Sequence, residues 1–169
     1  GHFDWIAGNP PWVNWETMSA DYREQTRHLW QQYGLFPHEG FEIMLGKGKK
    51  DLSMLLTYRV VDVYLRDRGV LGFIITQSAL KSGGANEGFR RFQLGAKPLG
   101  VQRIDDLSDL NVFSGASTRP TLLVLHKNAY TRFPVPYTLW RKRKDKQFAA
   151  NGNRKRIEND TRRVAFVTE

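Results

Sequence analysis

Residues 51–76, DLSMLLTYRVVDVYLRDRGVLGFIIT, run a helical apolar pattern straight into an apolar strand. Leu52, Leu55, Leu56, Val60, Val63 and Tyr64 recur at helical spacing, and Asp51 stands before them as an N-cap. The spacing predicts a helix over 51–68, closed by Gly69 in the left-handed C′ position. Val70–Thr76 follows at once as a strand with no polar face. A helix that feeds a buried strand through one glycine is the second half of a βαβ unit. The fold class expected is therefore α/β, with helices flanking a parallel sheet.

The flanking segments extend this unit. Phe3–Gly8 (FDWIAG) reads as a central strand, and residues 19–33 as a helix capped by Ser19 and stopped by Gly34. Residues 34–50 carry Pro37, Gly40, Gly46 and Gly48 and read as a long loop. Residues 78–82 and 86–94 read as short helical pieces on either side of Gly83-Gly84. Val101–Leu107 and Thr118–Lys127 read as strands, with Pro120 near the start of the second, where a missing N–H is tolerated. The sheet expected has about four strands, and Pro134–Trp140 reads as one more at its edge. Residues 1–140 form the expected domain, and 141–169 read as a basic extension or linker.

A chain of 169 residues suits one domain with a real core. It has no cysteine, which removes disulfides, Cys-ligated zinc and thiolate catalysis and suits a reducing cytoplasm. No apolar run is long enough to cross a bilayer. The net charge of +9 points to a polyanionic partner. The basic residues cluster in GKGKK at 46–50 and RKRKDK at 141–146. Lys47, Lys49, Lys50, Lys81, Arg141, Lys142 and Arg143 are the candidate contacts to nucleic-acid phosphate. The histidines (His2, His28, His38, His126) are scattered without ligand spacing, so no metal site is expected. Asp105, Asp106 and Asp109 read as a solvated strand end rather than as a cation site or an acid–base pair.

The chemistry concentrates in Asn9-Pro10-Pro11-Trp12, at the carboxyl end of the first strand, where open α/β sheets bind ligands. Both prolines have fixed φ, and Pro10 keeps Asn9 out of the α region, so the turn is stiff. Neither proline carries an N–H, which leaves a surface of acceptors. Asn9 adds a side-chain amide oxygen and Trp12 a flat face. Stiff acceptors beside an aromatic plane suit a planar heterocycle with an exocyclic amine. Adenine N6–H₂ can donate to the Asn9 side chain and to the Pro10 carbonyl. Such bonds strengthen as positive charge develops on the nitrogen, which is transition-state stabilisation.

Asn-Pro-Pro followed by an aromatic after a hydrophobic strand resembles the signature of amino-group methyltransferases that use S-adenosylmethionine, chiefly N6-adenine DNA methyltransferases. The stretch FDWIAGNPPWVNWE is similar to the large adenine-methylating polypeptides of bacterial restriction–modification and phage-defence systems, including type IIG-like enzymes. DLSMLLTYRVVDVYLRDRG with VLGFIITQSALKS resembles the family's next helix–strand unit, and NVFSGASTRPTLLVLHK its later motif, so the likeness runs over residues 3–140. It implies the second half of a class I, Rossmann-like methyltransferase sheet with a late antiparallel strand. It further implies S-adenosylmethionine as cofactor, DNA as partner, and methyl transfer to a flipped adenine. In that role Asn9 and Pro10 hold the amine within the Asn9–Trp12 turn that Pro11 completes. Trp12 and Phe113 wall the base, as base flipping requires.

One departure is informative. The family holds its cofactor mainly through a glycine-rich turn after an earlier strand, and the glycines at 83–88 lack that spacing and follow a later one. The chain thus resembles the base-binding half, with an N-terminal half of the same polypeptide as its partner and little activity of its own. The other readings of the same turn are methylation of an RNA base or of a protein glutamine amide, or a non-catalytic DNA-binding piece. The absence of cysteine excludes C5-cytosine methylation, which needs a thiolate.

Overall fold

The computed structural model describes residues 2–36, 50–81, 86–110, 112–113 and 117–142, together with the backbone of 161–168. Strands β1 (Phe3–Gly8), β2 (Leu65–Thr76), β4 (Lys97–Asp106), β5 (Pro120–Lys127), β6 (Val135–Lys142) and β7 (Thr161–Thr168) form one mixed sheet, and β3 (Gln93–Leu94) pairs with β4. Their order is β1-β2-β5-β4-β6-β7. β1 and β2 are parallel, as the βαβ pattern predicts, and β4 and β6 are parallel to each other. β5 lies between β2 and β4 and runs antiparallel to both, which matches the expected late antiparallel strand. The carboxyl ends of β1, β2, β4 and β6 therefore share one edge with the start of β5.

Among the described residues, two α-helices lie between β1 and β2: α1 (Ala20–Gln32) and α2 (Leu52–Val63). The Ser19 hydroxyl accepts the Tyr22 N–H and the Asp51 carboxylate the Ser53 N–H, so both N-caps form as the sequence predicts. Gly34, at φ 63°, ends the first helix. The short helices α3 (Ser78–Lys81) and α4 (Glu87–Arg90) follow β2. The register puts Leu71, Phe73 and Ile75 of β2 on one face with Leu123 and Leu125 of β5 and Val101 of β4. Tyr58, Val61 and Met54 of α2 join these in one apolar core, along with Trp15 and Trp30. No helix among the described residues is long and apolar enough to cross a membrane.

Several expectations change. The helix over 51–68 ends at Val63, and β2 starts at Leu65. Six residues of β2, Leu65 to Val70, stand opposite three of β1, Phe3 to Trp5, so LRDRG is a bulge inside a strand. Its left-handed residue is Arg68 (φ 62°), not Gly69. Gly69 serves close approach instead: a Cβ there would fall 2.8 Å from Leu65 Cγ.

β1 is not a central strand among the described residues. It pairs with β2 alone, and without a second neighbour Phe3 is 58% and Trp5 74% exposed. β6 is not an edge strand, because β7 pairs along its whole length from Val135 to Lys142. β7 and β3 raise the strand number above that expected, and β7 falls in the stretch read as a basic extension or linker.

Candidate functional site

The site forms where β1 stops. Past Gly8, Asn9 and Pro11 are exposed and Pro10 is buried, so the turn is seated by its first proline and open at its amide. The Trp12 indole N–H donates to the Ile74 carbonyl of β2 at 3.1 Å, which fixes the ring against the sheet. The next residues are stitched to the head of α2. The Leu52 N–H donates to the Val13 carbonyl, the Trp15 N–H to the Lys50 carbonyl, both at 2.8 Å, and Asn14 and Asp51 form an antiparallel bridge. The turn thus hangs between two rigid elements, the end of a strand and the first turn of a helix.

An aromatic nest supports this from behind. Trp15, Trp30 and Phe36 lie with ring centroids 5.1–5.2 Å apart, and the Lys50 ammonium sits 5.0 Å over the Phe36 ring. Lys50 is 3% exposed, and burial lowers its pKa to about 8. A lysine placed this way packs against aromatics, which corrects its reading as a phosphate contact.

The second wall comes from the far side of the sheet. After β4, the Leu107 N–H donates to the Pro120 carbonyl at 3.1 Å and two further turns lead to Phe113. The Phe113 ring meets Trp12 edge to face, with centroids 5.1 Å apart and planes at 81°. The two residues singled out as base walls are thus neighbours in space.

Beneath that loop, the three aspartates divide. Asp109 is exposed, but Asp106 is 1% and Asp105 2% exposed, so these two are not a solvated strand end. Asp106 Oδ2 accepts from Gln77 Nε2 at 2.7 Å, Lys81 Nζ at 3.0 Å and the Tyr137 hydroxyl. Asp106 Oδ1 accepts the Ser108 N–H at 3.0 Å. Burial alone would raise this carboxyl, yet the hydrogen bonds from Ser108, Tyr137 and Lys81 outweigh it and hold the group well below the usual carboxylate range. Asp105 accepts from Trp140 Nε1 at 2.8 Å and from Arg103 at 2.6 Å. Asp106 therefore ties the ends of β2 and β4 to Tyr137 of β6 at the base of the Phe113 loop. Its partners come from distant strands, so nothing local in DDLSD announces it.

Of the basic candidates, Lys81 is committed to Asp106. Arg141 and Lys142 are exposed at the end of β6, and Lys47, Lys49 and Arg143 lie outside the described residues. The signal missed in the sequence is Arg119, which joins Lys142 and Phe113 in lining a cavity of about 240 Å³. Its only mark was its place before the strand-opening Pro120. Among the described residues, no three His, Cys, Asp or Glu side chains are grouped to hold a metal ion.

Comparison with solved structures finds the same fold in several large proteins. The type IIG restriction endonuclease BpuSI matches with a TM-score of 0.53 at 15% identity, over 80% of this chain and 15% of that one. A chain of a type I restriction–modification system matches at 0.53 and 15%, over 84% of this chain and 24% of that one. A nuclease-deletion mutant of the type ISP restriction–modification enzyme LlaGI, in complex with a DNA substrate mimic, matches at 0.53 and 23%, over 80% and 14%. The chain thus spans less than a quarter of each of these structures' chains. No curated protein matches the sequence. The family model of the Eco57I restriction-modification methylases matches residues 1–113, a stretch that contains the Asn9–Trp12 turn and closes on Phe113, and the chain belongs to that family.

Proposed function

We propose that this chain is the base-binding part of a DNA adenine-N6 methyltransferase of a restriction–modification system, with S-adenosylmethionine as methyl donor. The observation that carries the reading is the meeting of Trp12 and Phe113 beside an open Asn9 amide at the carboxyl edge of the sheet. An adenine entering there finds aromatic faces to replace its lost stacking, each worth about 1–3 kcal/mol. Its N6 amine donates to the Asn9 side-chain oxygen and the Pro10 carbonyl. Those acceptors draw the nitrogen lone pair out of conjugation and stabilise the positive charge that grows on it. The net charge of +9 and the DNA substrate mimic held by the LlaGI relative favour nucleic acid over a protein amide as the target.

The residues present furnish the amine side of such a site and not the donor side. The turn after β1 is Asn-Pro-Pro rather than glycine-rich, and β1 is the outermost strand of the described sheet. When bound, S-adenosylmethionine supplies an electrophilic methyl group; no contact to it is assigned here. The unpaired edge of β1, with Trp5 and Phe3 exposed, fits further strands of the same polypeptide that would bring the cofactor side. The chain alone is accordingly expected to be inactive.

The test is methyl transfer to adenine in duplex DNA by this chain and by a version extended at its N-terminus. The extended protein should methylate adenine, and Asn9→Ala should abolish transfer while sparing DNA binding. Transfer by Asn9→Ala at the parent rate would sink the role of the turn, and transfer to glutamine alone would sink the substrate.

A further inference from the structure

The cavity beside Phe113 is the second place where ligand chemistry gathers. We propose that it is an anion subsite that takes a backbone phosphodiester next to the base held at Trp12 and Phe113, with Arg119 as its principal donor. This inference rests on the nucleic-acid reading above and assigns a contact that reading does not contain.

Four observations converge. First, Phe113 belongs to both places: its ring meets Trp12 and also lines the cavity, so the two sites share a wall. Second, the lining is polar and cationic, with Arg119, Lys142 and the hydroxyl residues Ser108, Ser117 and Thr118. Among the described residues of the lining Asp109 is the one carboxylate, against the two cations Arg119 and Lys142. The volume of about 240 Å³ is several times the ~30 Å³ share of a water molecule, which admits a phosphate with part of its sugar.

Third, the backbone that carries Arg119 is held at two points. Its own carbonyl accepts the Gln77 N–H at 2.8 Å, and the carbonyl of Pro120 accepts the Leu107 N–H at 3.1 Å. A guanidinium on a fixed stem offers its planar fork to phosphate oxygens at low ordering cost. Fourth, many cations elsewhere are committed. Lys81 pairs with Asp106, Arg103 with Asp105, Lys97 with Asp67, and Lys127 with the carbonyls of Asp62 and Leu65. No hydrogen bond or ion pair to another described residue engages the head groups of Arg119 and Lys142.

The experiment measures binding of this chain to a short DNA duplex with a mispaired 2-aminopurine, across a salt series. Duplexes with one neutral methylphosphonate linkage at each position around that base are compared. For Arg119→Gln, the slope of log affinity against log salt should fall by about one. One flanking methylphosphonate should weaken the parent chain yet leave Arg119→Gln unchanged, and Arg119→Lys should restore the slope. An unchanged slope in Arg119→Gln, or losses that add at every linkage, would overturn the subsite. So would saturable binding of inorganic phosphate with no linkage effect, which would mark a free-anion site. Failure of the parent chain to bind any duplex strikes the nucleic-acid reading itself, and the subsite with it.

Discussion

The indole of Trp12 is tethered to the Ile74 carbonyl, while the ring of Phe113 rests against it edge to face at 5.1 Å. Two walls with a base between them stand near parallel, about twice the ~3.4 Å stacking rise of a nucleic-acid strand apart. At 5.1 Å and 81° the slot is closed. In the proposed role a base would enter only with one ring swung aside, and the tether on Trp12 would leave that movement to Phe113.

Trp12→Phe keeps an aromatic face and removes the tether. It should cost about 1 kcal/mol of stability in urea unfolding, the usual net worth of one such hydrogen bond. Trp12→Ala also removes the face. It should weaken capture of an extruded 2-aminopurine by roughly ten- to a hundredfold, since one stacked base is worth about 1–3 kcal/mol.

Asp106→Asn tests the lock beneath the loop. At neutral pH it should destabilise the fold by roughly 1.5–3 kcal/mol, as expected for hydrogen bonds to a buried charge. The sign with pH follows from the carboxyl being held low in the fold. Above about 3.9, the value of a free aspartate, the stabilisation is complete, and it is lost as pH falls from there towards the depressed value. The difference between parent and variant should therefore shrink in acid, read by urea midpoints across that range.

Lys50 gives a rise of the same sign at higher pH. Its folded pKa of about 8 lies below the ordinary 10.5, so between these values the unfolded chain binds a proton that the folded chain does not. Stability should rise with pH across that window, and Lys50→Met should flatten the rise. Tyr58 acts in the other direction at higher pH, since burial raises its hydroxyl and folding then opposes its ionisation. The clearest contrast between parent and variant is expected at about pH 9.5, below the ordinary tyrosine range.

Lys127 closes the end of α2. Its ammonium donates to the Asp62 carbonyl in the last turn of α2 at 2.9 Å and to the Leu65 carbonyl at the start of β2 at 2.7 Å. Lys127→Met keeps much of the apolar stem and strands both acceptors. It should cost about 1–3 kcal/mol, measured by thermal or urea unfolding.

What the sequence made legible was local. Ser19 and Asp51 announced their helices because capping is a relation within three residues, and FDWIAG and Pro120 announced strands by apolar run and proline position. The stiff Asn9–Trp12 turn was legible for the same reason. LRDRG failed because a charged bulge and a fraying helix end share a composition, and only pairing with β1 separates them. Asp105 and Asp106 failed because a carboxylate is buried only when distant partners meet it, here Gln77, Tyr137 and Trp140. The nearness of Phe113 to Trp12 was legible through the family resemblance alone, since spacing carries no sign of it. Arg119 became visible only when the sheet brought Lys142 beside it.

The place of β5 between β2 and β4 bears on how the chain is made. Those two strands do not touch each other in the sheet; each reaches the other through β5. On a ribosome, β4 has no backbone pairing that joins it to β2 until residues 120–127 have emerged and inserted between them. The edge that carries Trp12 and Phe113 is therefore assembled late, by a non-local closure of the slow kind. Ribosomes that pause before that strand would display two apolar half-sheets, and that interval is when the nascent chain most needs a chaperone.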